Sequence, residues 1–311
     1  MNGVLCLGEA LIDFIPLDAE NETYQKAPGG APANVSVGIA KLGGAATFIG
    51  KVGDDVLGQF LKETLDGYGV NTGPMEFTDE ARTGVTFVTL EPSGERHFSF
   101  YINPSADRFL RKEEIDPSLF QQHKIFHFGS ISLISEPARS ATLWSVKQAK
   151  KTGMLISYDP NLRLGLWDSE EQAMETILTA LPMADVLKVS DEELSFLTGC
   201  SNWEEGIAQL PDLPLILVTL GGQGCIWHFK GKTGKVEALD CKVVDTTGAG
   251  DAFVSGILYS INESAKPLME LSETDIVEIV RFAAVSGGLA TTKKGAMTGL
   301  PNLQEVQNLL K

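Results

Sequence analysis

Apolar runs of strand length alternate with segments of helical period along most of this chain, and that alternation is its strongest constraint. "GVLCLGEALIDFI" reads as a buried strand ending in carboxylates. "APGGAPANVSVGIAKLGG" opens with turn residues and becomes a helix from about Pro32, with Gly43 and Gly44 beyond its end. "ATFIGKVG" is a strand, and "DDVLGQFLKETLDGYG" is a helix with an aspartate at its start and a glycine at its stop. The rhythm continues through "KIFHFGSISL", a helix around Ala138–Lys151, "MLISYDPN", "ADVLKVS", the acidic helix start "DEELSFLTG", and "LPLILVTLGGQG", a strand closing in a glycine turn. Strand after helix after strand predicts a mostly parallel α/β sheet covered on both faces.

Two segments break the rhythm. "FIPLDAENETYQKAPGG" is polar and extended, and "TGVTFVTLEPSGERHFSFY" alternates apolar and polar residues around "PSGE", which predicts a β-hairpin. Together they form a small antiparallel flap on a single domain spanning residues 1–311, with flap segments about 14–30 and 84–104. Such a flap either closes over a ligand or completes a sheet edge or dimer contact.

With 25 basic against 41 acidic residues the net charge is −16, which gives no electrostatic footprint for nucleic acid or an anionic membrane. A small anion can still be held locally by backbone amides or a few cations. "MNGVLCLGEALIDF" has no basic start and carries Glu9 and Asp13, so it does not read as a signal peptide, and no apolar run reaches the length of a membrane span. Cys6, Cys200, Cys225 and Cys241 are scattered without a CxxC pair, and a reduced, cytoplasmic setting is expected. His123 and His127 stand four apart, but the HExxH glutamate is absent and the segment is strand-like, so ordinary packing is expected there rather than a metal.

Residues 245–253, "DTTGAGDAF", carry the densest chemistry. Gly248, Ala249 and Gly250 allow close approach to the backbone. The apolar-periodic run after Asp251 predicts a helix whose first amides and dipole favour an anion. A carboxylate in that turn is awkward for phosphate binding alone but suits a general base acting on an attacking hydroxyl. On these nine residues alone a second reading stays open: Asp251 caps the helix and the glycines make a tight turn. GxxxxGK[ST] is not found in "TLGGQGC" or "TTGAGDA", and GxGxxG does not follow the first strand, which weakens a Walker or dinucleotide site.

"GGAPANVSVGIAKLG" and "DTTGAGDAFVSG", in that order and widely separated, resemble the two signatures of the ribokinase (PfkB) carbohydrate kinases. The resemblance covers essentially the whole chain. "GEALIDFIP", "FYINPSADRFL", "YDPNLR" and "LKVSDEEL" are most similar to the fructokinase branch. It implies a ribokinase-like three-layer α/β/α domain with a small β-sheet lid, and transfer of the ATP γ-phosphoryl group to the 6-hydroxyl of fructose. Asp251 would be the base, and the amides around Gly248, Ala249, Gly250 and Asp251 the anion hole, with Arg163 near the phosphoryl path. Asp13, Gly29, Gly30, Asn34 and Tyr101 would meet the sugar. Thr219, Gly222 and Gly224, with Gly248 and Gly250, would lie along ATP. Glu193 would organise hydrated magnesium, and Asp245 and Thr247 a potassium ion.

Two positions depart from the family pattern. Ser190 stands where the Asn-x-x-Glu motif has asparagine, which loosens the expected magnesium shell. Ile102 stands where plant-type fructokinases read "YRNPSAD", which argues against an acidic sugar such as 2-keto-3-deoxygluconate. Rival expectations are a sister kinase acting on 2-keto-3-deoxygluconate, ribose or a nucleoside, a catalytically silent sugar sensor, and a plain α/β interaction protein. The flap edge also suggests a homodimer.

Overall fold

The computed structural model describes residues 2–90 and 96–310. Its strands are β1 (Val4–Leu7), β2 (Leu11–Pro16), β3 (Tyr24–Gly29), β4 (Ala46–Gly53), β5 (Met75–Thr78), β6 (Val85–Leu90), β7 (Arg96–Tyr101), β8 (Ile125–Phe128), β9 (Leu155–Tyr158), β10 (Val186–Ser190), β11 (Leu215–Thr219), β12 (Cys225–Phe229) and β13 (Lys232–Val236). Nine of them form one sheet in the order β13-β12-β11-β10-β9-β8-β1-β4-β5. From β11 to β5 every pairing is parallel, and β12 and β13 close one edge as an antiparallel pair.

Successive residues on a strand face opposite sides of the sheet, and here that splits the interior in two. Leu5, Leu7, Phe126, Phe128, Ile156 and Leu187 join one core, under the helix Ala138–Lys151. Val4, Cys6, Ile125, Val186, Leu215 and Leu217 join the other, under the helices Ala31–Lys41, Ala249–Glu263 and Glu273–Ala290. The result is the expected three-layer α/β/α arrangement. The helix Val56–Gly67 begins where predicted, capped by Asp55, whose Oδ1 accepts from the Leu57 and Gly58 amides at 3.0 and 2.9 Å. No helix among the described residues is long and apolar enough to cross a membrane.

The four remaining strands make the smaller sheet, in the order β3-β2-β6-β7. Both unrhythmic segments therefore meet in one sheet, but that sheet is mixed rather than antiparallel as expected: β2–β3 and β6–β7 pair antiparallel, whereas β2 and β6, which join the two segments, pair in parallel. The turn "PSGE" of the predicted hairpin lies outside the described residues, but its arms β6 and β7 pair antiparallel. A second expectation needs correction. "GVLCLGEALIDFI" is two strands rather than one. The Gly8 amide still bonds Ile49 O of the main sheet at 3.1 Å, whereas the Ile12 amide bonds Gly84 O at the start of the small one at 3.0 Å. The chain changes sheets across residues 8–10.

Candidate active site

β1 lies between β4 and β8; the connection from the carboxyl end of β1 leads to β4 in one half of the sheet, and that from β8 leads to β9 in the other. Such a switch point leaves a crevice outside the strand ends. Here it is a cavity of about 540 Å³, roofed by the small sheet. Glu9 follows β1, Asp159 follows β9, Lys188 lies in β10, and Asn34 and Asp251 come from the two helices that begin there; all five line it. A larger hollow of about 580 Å³, beside Cys200, Trp203 and Gln223, lacks these converging buried groups.

The glycine turn explains the position of Asp251. Gly248 adopts φ 77°, a left-handed conformation open to glycine, and caps the helix Ala249–Glu263. The Ala249 amide turns back to Thr246 O at 3.2 Å and the Ala252 amide to Gly248 O at 2.8 Å. Between them stand the first-turn amides of Gly250 and Asp251, at the positive end of a fifteen-residue helix. Asp251 is buried, and its Oδ2 accepts from Asn34 Nδ2 at 2.8 Å. Burial pushes its carboxyl above the ordinary value, against the Asn34 hydrogen bond and the charges of Lys188 and Arg163. That is the direction required of a base working near neutral pH. The capping alternative fails in this geometry, because the side chain bonds Asn34 of another helix and no side chain caps the turn.

Asp13 and Gly30 share the cavity with Asn34. Asp13 is pushed up to about 6 by burial, against the Thr86 hydroxyl and Arg163. Gly29 and Gly30 have no room for a side chain. A Cβ on Gly29 would stand 2.5 Å from Asp13 Oδ2, and one on Gly30, at φ 103°, would stand 2.3 Å from Glu9 O. Tyr101 is placed otherwise than expected. It is 65% exposed and packs edge-on against Phe87, while Phe100 lines the cavity. Strand alternation decides which of two neighbouring aromatics faces inward.

Lys188, not singled out from the sequence, is the charge at the centre of the site. Its Nζ lies 3.2 Å from Asp159 Oδ2 and 3.9 Å from Glu193 Oε2, and 3.6 Å from where a Cβ of Gly250 would stand. Burial works against the ammonium, but Asp159 and Glu193 outweigh it and hold it protonated above its ordinary value. The one available signal was a lysine inside an apolar strand, since lysine is rarely buried unless paired. Glu9 and Asp159 were also missed as site residues.

Arg163 is exposed on the cavity wall, its Nη1 donating to Leu162 O at 3.0 Å, and it pairs with no described carboxylate. Glu193 accepts from the Leu162 amide through Oε1 and from the Ser190 amide through Oε2, both at 2.7 Å. It therefore fixes the loop that carries Arg163. Burial opposes its charge, but Lys188 and those amides hold it below the ordinary carboxylate value. No three His, Cys, Asp or Glu groups among the described residues converge as a metal site. His123 and His127 are packed: the rings bond Leu119 O, Thr47 Oγ1 and Ser157 Oγ.

A second cavity of about 260 Å³ lies on the far side of the glycine turn. Thr219, Gly222, Gly224 and Ala249 line it, with apolar walls from Leu239 and Ala284. Thr246 and Gly250 belong to both cavities. Nearby, Asp245 Oδ1 accepts from the Thr247 amide and hydroxyl at 3.0 and 2.7 Å, and Oδ2 from the Gly295 amide at 3.0 Å.

The model of the pfkB family carbohydrate kinases matches residues 1–303. The chain belongs to the PfkB family of carbohydrate kinases. Fructokinase-1 of Zea mays is 46% identical over 316 residues, covering 99% of this chain and 97% of that protein. Among solved structures, a double mutant of the Vibrio cholerae O395 fructokinase with fructose, ADP and potassium bound superposes with a TM-score of 0.92 at 40% identity, over 100% of this chain and 99% of that one. The Xylella fastidiosa fructokinase with bound ATP gives a TM-score of 0.94 at 36% identity, over 99% and 98%.

Proposed function

We propose that this PfkB kinase is a fructokinase, transferring the γ-phosphoryl group of ATP to the 6-hydroxyl of fructose. The observation that carries the reading is the pair of cavities that share Thr246 and Gly250, with Asp251 next to Gly250 in the lining of the first. The first is large enough for a hexose and the second, apolar and glycine-lined, suits a nucleotide. The similarity to fructokinases solved with fructose, ADP and ATP supports the assignment of each.

Asp13, Gly30 and Asn34 hold the sugar beneath the small sheet, which closes as a lid and keeps water from the phosphoryl group. Asp251 accepts the proton of the 6-hydroxyl as its oxygen bonds to phosphorus. The bond from phosphorus to the β,γ-bridging oxygen breaks, and ADP leaves with that electron pair. The amides of Gly250 and Asp251, with Lys188 and Arg163, meet the charge on the phosphoryl oxygens. Carboxylate donors suit magnesium, which keeps much of its water, and Glu193 would hold the ion through water because both its oxygens already accept amides. The bound ion supplies charge neutralisation to the phosphates. Asp245 and Thr247 would shape a potassium site, with the buried carboxylate as its attracting charge.

The surroundings favour a neutral sugar. Ile102 is buried in an apolar cluster with Ile131 and Leu166, and the latter two line the cavity with Phe100. ADP release with ATP and magnesium, measured over fructose, fructose 6-phosphate, ribose, 2-keto-3-deoxygluconate and adenosine, is expected to be strong with fructose. Preference for another member of the panel would replace the substrate, and silence across it would overturn the kinase reading. The open edges β3 and β7 favour association of two copies; a monomeric mass by light scattering would dismiss that.

A further inference from the structure

Three side-chain oxygens of residues lining the first cavity are shut off from solvent with no hydrogen bond of ordinary geometry among the described residues: Asn34 Oδ1, Thr86 Oγ1 and Glu9 Oε2. The Thr86 hydroxyl acts on Asp13. Buried polar atoms are rarely left so, and at a cavity wall the missing partner is supplied by what the cavity holds. Asn34 already has its place in the sugar site. Glu9 has none. It stands at the carboxyl end of β1 and is 3% exposed. Its Oε1 accepts from the Ala31 amide at 2.9 Å, which fixes the carboxyl against the turn that opens the helix Ala31–Lys41. Its other oxygen has no such duty.

We propose that Glu9 contacts the sugar as a neutral carboxyl, accepting from Ala31 through Oε1 and donating from the Oε2 hydroxyl to a hydroxyl oxygen of the substrate. The inference rests on the first cavity being the sugar site. A sugar hydroxyl both donates and accepts, whereas ionised Asp13 and Asp251 only accept. A protonated acid among them supplies a donor that they lack. Its surroundings keep it protonated. Burial is the main cause. The backbone amides of Glu9 and Ala31 oppose it, while Asp107 from the segment after β7 and Asp251 from the helix Ala249–Glu263 add to it, and the carboxyl is pushed up to about 8. Asp13, Asp159, Arg163 and Lys188 share the same cavity.

The test is fructose kinetics and calorimetric fructose binding for wild type, Glu9→Gln and Glu9→Ala, from about pH 6.5 to 9.5, with folding checked by circular dichroism. Glutamine keeps an acceptor for Ala31 and a donor for the sugar. At pH 7 the Glu9→Gln variant is expected within about threefold of wild-type kcat/KM. Above pH 8 the wild-type KM for fructose should rise roughly tenfold per pH unit, as for a single ionisation, while that of the glutamine variant stays flat. Glu9→Ala should bind fructose at least about tenfold more weakly at pH 7, as for a lost hydrogen bond. A hundredfold loss in Glu9→Gln at pH 7, a wild-type KM flat to pH 9.5, or wild-type affinity in Glu9→Ala overturns the proposal. Should the alanine variant not fold, the isosteric glutamine variant still decides. A wild-type protein that neither binds nor phosphorylates fructose at any pH sinks the sugar-site reading instead.

Discussion

Asp251→Asn should turn over fructose ~10²–10⁴-fold more slowly than wild type, or slower still, with the KM for fructose changed by less than about threefold. The substitution keeps the shape of the side chain and an oxygen for the Asn34 amide, whose hydrogen bond to Oδ2 is 2.8 Å long. What it removes is the site for the proton. The wild-type kcat should also fall as the pH drops through the raised value of the Asp251 carboxyl, because only the ionised form accepts that proton. The limb therefore lies above the ordinary carboxylate range, and the residual activity of the variant should lack it. Steady-state kinetics from about pH 5 to 8 read both effects. Near-wild-type turnover by the asparagine variant would remove Asp251 from the mechanism.

Lys188→Met should cost about 3–5 kcal/mol of stability, because it leaves Asp159 and Glu193 buried around an absent cation. A fall in Tm on the order of 10 °C is the expected readout. In protein kept folded at low temperature, kcat should fall by about 10²-fold or more, the scale of losing an anion-hole donor. Lys188 also pulls the Asp251 carboxyl down. Without it that carboxyl rises further, and the acid limb of kcat moves to higher pH. A purely structural lysine would lower Tm and leave the limb where it is; an unchanged Tm would deny it the structural role, and wild-type kcat with an unmoved limb the electrostatic one.

The sequence showed those parts of the site that are encoded locally. Asp251 was legible because an apolar-periodic run starts just after two glycines, and Asp55 because it precedes a clean helical period. Lys188 and Glu9 were not, because their partners arrive from other strands: Asp159 lies 29 residues from Lys188, and Ala31 lies 22 residues from Glu9. The alternation of strands and helices gave the layers, but it could not show that the first apolar run leaves one sheet for another. That depends on Ile49 and Gly84, which supply the acceptors. Tyr101 illustrates the same limit at the scale of one residue. An aromatic pair in an edge strand does not reveal which ring points inward until the register with β6 is known, and that register pairs Tyr101 with Val85.

The shared turn between the two cavities has a stereochemical consequence. In the proposed reaction sugar and nucleotide approach it from opposite sides, and the base beside it is the Asp251 carboxylate, placed to take a proton. Cys225 and Cys241 line only the second cavity, and no histidine, cysteine or serine among the described residues lines both. On the proposed reading the group passes directly from donor oxygen to acceptor oxygen in one displacement. Both substrates must then be present together, and a chirally labelled phosphorus leaves the enzyme with its handedness inverted.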